Sequence, residues 1–224
     1  MSEMMKPNVG ADLLRIHRLI TRGIEVALDR SEAFAMNGYP DAATREGFIC
    51  YTRALVGVLH GHHLTEDEIA FPYFRKLLPD APFDALSEDH RHMEIIIDNI
   101  KDLVDTMEAA PSPAADPLAE LNRALMALQD LWLPHIATEQ IHLSVEAADR
   151  LLSDEEQIRL GQQFGQHSAQ HSQPDYLVVP FMLYNLEPED RAVMSALLPP
   201  IITQQLIPGP WKDQWAPMRP FLLD

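Results

Sequence analysis

From about residue 10 to residue 152, apolar residues recur at spacings of three and four, and no segment alternates with period two. That pattern predicts an all-α chain. A first helix is expected over about 10–36, with Leu13, His17, Ile20 and Ile24 on one stripe, stopped by Asn37-Gly38-Tyr39-Pro40. Asp41 can cap a long second helix, which carries Tyr51, Leu55, Val58, His62, Glu66, Ile69 and Tyr73 on one face and ends before Pro79. A third, over about 84–109, aligns Leu86, His90, Glu94, Ile97 and Val104. After the linker 110–115, Asp116-Pro117 predicts a fourth start: the aspartate accepts from free amides and proline takes the first helical position. Its stripe is Leu121, Leu125, Leu128, Trp132, His135, Glu139 and His142, with Pro134 expected to kink it. Ser153 and Glu156 form the pattern of a capping box for a shorter fifth helix.

Four long helices with short connections predict an antiparallel up-down four-helix bundle over 1–152. The segment 153–224 then holds the fifth helix and a Pro-rich C-terminal extension. That extension is too rich in Leu177, Val178, Val179, Phe181, Met182, Trp211 and Trp215 to stay disordered. It is expected to fold over the bundle or a partner subunit, possible homodimerisation included, with one short helix near 188–198 opened by Glu187-Pro188.

The stripes contain the wrong residues for a simple core. Residues four apart on a helix lie one above the other, so His-x3-Glu aims an imidazole and a carboxylate at one point. Four such pairs occur: His62 with Glu66, His90 with Glu94, His135 with Glu139, and His142 with Glu146. Random placement of these residue types gives about 0.7. Three pairs fall on core-facing stripes of three helices, and His17 occupies the corresponding stripe of the first. Burying such groups uncompensated costs several kcal/mol each. Bound cations remove that cost by supplying opposite charge to the lone pairs. Mixed imidazole and carboxylate donors without thiolate suit iron or manganese, and seven ligands suit two ions bridged by carboxylates.

Other titratable residues read differently. His142 and Glu146 lie one turn past the site and are expected to make supporting contacts. His60, His63 and His92 point away from the stripes and are expected in solvent. His167 and His171 sit in a polar stretch that reads as surface, while Tyr51, Tyr73 and Cys50 read as core packing. The net charge of −17 repels phosphate backbones and anionic lipid, so nucleic acid and membrane are not expected partners. One cysteine, no signal pattern at the start and no long apolar run lead to the expectation of a soluble cytoplasmic protein.

Leu13-Leu14-Arg15-Ile16-His17, the run from His62 to Pro72, Glu88-Asp89-His90 and His135-Ile136-Ala137-Thr138-Glu139, in that order, resemble the motifs of the hemerythrin-like, or HHE cation-binding, domain over about 10–150. The resemblance implies two iron ions. His17 and His62 would hold one, His90, Glu94 and His135 the other, and Glu66 and Glu139 would bridge them, leaving a position for dioxygen, peroxide or nitric oxide. Oxygen-carrying members have histidine where Glu94 stands. A further anionic ligand stabilises the ferric state, which favours redox reactivity, sensing or iron handling over oxygen storage. Two alternatives are an iron- or oxygen-responsive interaction module without turnover, and a structural bundle holding zinc or manganese.

Overall fold

The computed structural model describes residues 6–110 and 112–223, and the regular elements among them are all helical. Helix α1 (Val9–Asn37) is capped by Asn8, whose side chain accepts from the Ala11 amide. It ends at Gly38, where φ of 72° is a left-handed conformation that glycine adopts without strain. Helix α2 (Ala42–Thr65) starts, as expected, with the Asp41 side chain accepting from Thr44 N.

After Thr65 the helix widens into a π-turn (Glu66–Ala70) before tightening into α3 (Phe71–Phe74). Phe71 N–H donates to Glu66 O, five residues back. Pro72 explains the position: it has no N–H to donate, and its ring would press on the carbonyl four residues earlier in a regular helix. The extra residue moves the apolar stripe by one. Ala70, Phe71 and Phe74 are buried there, whereas Ile69 and Tyr73, expected on the stripe, are only partly covered.

Helix α4 (Phe83–Ala109) and helix α5 (Leu118–His142) complete a ring in which α1 and α4 each pack against α2 and α5. Pro134 sits on the exposed face of α5, which runs through it unbroken. Asp116 does not cap α5. Both its oxygens take hydrogen bonds from Arg45 on α2, each at 2.7 Å, a bidentate tie that outbids a single cap. The fourth helix also stops earlier than the pattern indicates. A break at Leu143-Ser144 precedes α6 (Val145–Leu151), so His142 and Glu146 belong to different helices and the fourth His-x3-Glu pair is not a pair in space.

Helix α7 (Asp154–His171) begins with the expected capping box, complete in both directions. The extension is more helical than its prolines suggest: α8 (Asp175–Tyr184), α9 (Pro188–Leu197), a second π-turn (Ile202–Leu206), α10 (Lys212–Trp215) and a 3-10 turn (Ala216–Phe221) follow. It lies on the bundle. Leu177, Phe181, Trp215, Met218 and Phe221 share one buried cluster with Ile24, Tyr51, Leu55 and Trp132. Phe181 packs its ring 4.9 Å from that of Tyr51, whose hydroxyl donates to Asn185 Oδ1 at 2.9 Å. Helices α7 and α8 cover α2 on the faces away from α1, α4 and α5, so α2 is buried almost all round.

Candidate metal centre

The three long stripes and α1 converge on one buried point. His17, His62, Glu66 and Glu139 each place a ligand atom within 4.8 Å of the others, and Glu66, His90 and His135 form a second group of the same kind. Glu66 belongs to both. Its Oε1 lies 3.4 Å from His62 Nε2 and its Oε2 lies 3.3 Å from His90 Nε2. Glu139 Oε2 likewise stands 3.0 Å from His17 Nε2 and 3.9 Å from His135 Nε2. Glu66 therefore reaches both groups with separate oxygens, while one oxygen of Glu139 stands between His17 and His135. Six of the seven ligands expected from the sequence are brought together. Glu94 is placed elsewhere, with its oxygens 2.9 Å from His60 Nδ1 and from His63 Nδ1.

These side chains are almost completely enclosed: Glu139 is 0% exposed, His17, His90 and His135 1%, and Glu66 3%. Yet the Nε2 atoms of His17 and His62 and all four oxygens of Glu66 and Glu139 lack hydrogen-bond partners. The close contacts among them are within ion-pair distance but off hydrogen-bond directions, because the atoms point at common centres instead of at each other. Unpaired buried carboxylates and imidazoles are costly, and cations placed between them answer the whole set at once. The donor set and its orphaned atoms therefore fit metal ions.

Outer groups turn the rings inward. Asp67 Oδ2 stands 3.1 Å from His90 Nδ1, Asp89 Oδ2 3.4 Å from His135 Nδ1, and the Gln140 amide 3.1 Å from His17 Nδ1. At His135 the Nδ1–H donates to the Asp89 carboxylate and Nε2 faces the centre, the arrangement by which a carboxylate fixes a metal-binding histidine, while Asp67 stands at ion-pair distance from His90. Asp67 is itself steadied by Ser87 Oγ, which donates to it at 2.6 Å. The walls are aromatic: Trp132 packs edge-on to His17 and donates from its indole to Thr21 Oγ1, while Phe71 stacks on His90 at 5.4 Å.

Sequence reasoning missed His63. Expected in solvent, it is 1% exposed, stacked on His90 at 4.3 Å, with Nδ1 tied to Glu94 and Nε2 buried without a partner. The available signal was the composition of α2, where Arg53 is the one Lys, Arg, Asp or Glu between Gly47 and Leu64, which marks a helix covered on most of its faces. His63 is then buried on a face other than the stripe.

Burial, with the nearby charge of His17, pushes His62 well below the ordinary histidine range; burial and His90 do the same to His63. Burial also holds His135 down at about 4. Burial opposes a charged His90, but the Asp67 and Glu66 carboxylates outweigh it and raise that ring to about 10. The carboxylates separate: burial and the charge of Glu139 raise Glu66, whereas the surrounding imidazoles, His17 first, overcome burial and hold Glu139 below the usual range. Protein stripped with a chelator is expected to lose stability between pH 6 and 5. There the unfolded chain takes up protons at His62, His63 and His135 that the folded chain refuses, and Glu66, Asp12 and, weakly, His90 act the other way. The unfolded state thus binds more protons. Thermal melts at the two pH values check the sign, and a melting temperature that rises toward pH 5 contradicts it.

Fold and site together define a helical bundle of the cation-binding kind, in which histidine and glutamate side chains from four helices form a buried cluster that fits a metal site. The chain belongs to the hemerythrin HHE cation-binding domain family, whose sequence pattern matches residues 10–143, from the first turn of α1 to the end of α5. No curated protein and no solved structure matches the chain. No described helix is long and apolar enough to cross a membrane.

Proposed function

We propose that this chain is a non-haem di-iron protein that binds or reacts with dioxygen, peroxide or nitric oxide. The observation that carries the reading is the double reach of Glu66, one oxygen toward His62 and the other toward His90. In this reading His17 and His62 would hold one iron and His90 and His135 the other, with Glu66 and Glu139 supplying carboxylate charge to both. Nitrogen and carboxylate donors without thiolate suit iron or manganese. Bound iron would supply a redox-active pair with a coordination position for one small ligand.

The chain's own residues set the conditions. Trp132 and Phe71 keep bulk water from the centre, and Asp89 keeps the His135 ring aimed at it. A surface groove of about 220 Å³, lined by His17, Thr21, Ile136 and Gln140, lies over the outer side of the His17 ring.

On the other side, His63 offers the imidazole that replaces the ligand expected at Glu94, and Glu94 orients it from behind. His63→Ala is expected to cost one iron of the pair. Glu94→Gln is expected to weaken retention by only about tenfold, as for an outer partner. The opposite order, measured by iron content after dialysis, would make Glu94 the ligand. The reading as a whole is tested by anaerobic iron loading followed by oxidation: about two irons per chain are expected, with visible absorption that azide alters. Less than one iron per chain, with no such band, would overturn it.

A further inference from the structure

On the far side of the π-turn, His167 and His171, one turn apart on α7, meet Glu68, and one ligand atom from each lies within 4.8 Å of the others. We propose that Glu68, His167 and His171 form a separate, solvent-reachable site for a divalent transition-metal ion such as zinc(II).

The hydrogen bonds around His167 fix which nitrogen is free. Thr65 Oγ1 has one proton and donates it to Gly61 O at 2.7 Å. The 3.1 Å contact between Thr65 Oγ1 and His167 Nδ1 must therefore be donated by the imidazole N–H. That leaves the lone pair on Nε2, which faces the Glu68 carboxylate, itself an acceptor, at 2.9 Å. Two acceptors this close call for a cation. A proton on Nε2 would answer that pair alone, but the His171 ring, its centroid 4.5 Å from that of His167, brings a third donor to the same place. Two imidazoles and one carboxylate, with further positions open to water, are a donor set that zinc, nickel or copper(II) accepts. An N–H fixed by an oxygen behind a ligating ring is also the usual support of a metal-binding histidine.

The frame that holds the three residues is close-packed. A Cβ at Gly61 would collide with the side chain of Ser172, and one at Gly57 would sit 2.7 Å from Gln173 O, so these two glycines let the end of α7 press against α2. The site is distinct from the central one: Glu68 is 56% exposed and His167 14% at the side chain, whereas Glu66, two residues earlier on the same turn, faces inward.

The test is calorimetric titration of zinc(II) into iron-loaded protein, with both metals counted after gel filtration. Wild type is expected to take up one zinc per chain beyond its central metals. His171→Ala, a residue near the end of α7, is expected to lose that zinc. Glu68→Gln, which keeps the shape and removes the charge, is expected to weaken it by more than about tenfold. Iron content is expected to be the same in all three. The one-zinc difference between wild type and His171→Ala can be read whether or not the centre holds iron, so this result is independent of the di-iron reading. No zinc uptake, which would leave a proton as the cation on Nε2, overturns the proposal. So does zinc uptake equal in wild type and both variants, or zinc gained only where iron is lost.

Discussion

Glu66→Gln is expected to abolish the paired centre while leaving the metal-stripped protein no less stable than wild type. Glutamine keeps the volume and one oxygen but cannot offer two anionic donors, so it cannot bridge. Iron after anaerobic loading is expected to fall from about two per chain to less than one. In stripped protein the same substitution removes a carboxylate that is 3% exposed, has no hydrogen-bond partner at either oxygen and faces the charge of Glu139. The pairing of Glu66 with His90 and its repulsion by Glu139 act in opposite directions, and His90 keeps Asp67 as a partner, so losing this buried acid is close to neutral for the fold. Metal analysis and thermal melts of loaded and stripped protein read the two halves. A stripped variant that melts well below stripped wild type would show Glu66 to be a structural residue and not a ligand.

Phe181→Ala is expected to destabilise the bundle by about 3–5 kcal/mol, the range for removing a fully enclosed phenylalanine and leaving a cavity. For a chain of this size that lowers the melting temperature by on the order of 10 °C. Phe181 is 0% exposed and lies against Tyr51 and Leu55 of α2. Its approach to α1 is so close that a Cβ at Gly23 would fall 2.9 Å from its ring. The effect belongs to the C-terminal extension acting as part of the core. Iron per folded chain should not change. A loss below about 1 kcal/mol would mean that the extension contributes little to the fold that carries the site.

Much of the centre was legible because helical periodicity is rigid. His17, His62, Glu66, His90, His135 and Glu139 each continue an apolar stripe, and stripes that form one core must meet. What escaped did so for identifiable reasons. A π-turn inserts one residue without altering composition, so Ile69 and Tyr73 were placed on a face that Ala70 and Phe74 occupy. His63 and Glu94 were assigned by angle around an isolated helix. That fails for His63, because α4 and α5 come close enough for His90, Glu94 and Trp132 to enclose its ring. Of the helices laid over the bundle, α7 showed its capping box and α9 its Glu187-Pro188 start, whereas α8 was hidden. Proline is read as a helix breaker, but Pro180 sits inside α8, buried against the bundle, where tertiary contacts override propensity.

The central claim is that two cations share Glu66 and Glu139 in this bundle. Anomalous diffraction at the iron edge, on crystals of the anaerobically loaded protein, tests it most directly. The account predicts two iron peaks about 3.5 Å apart, with the oxygens of Glu66 and Glu139 divided between them, as in paired-metal sites generally. A single peak, or two peaks with Glu66 bound to only one, would contradict it.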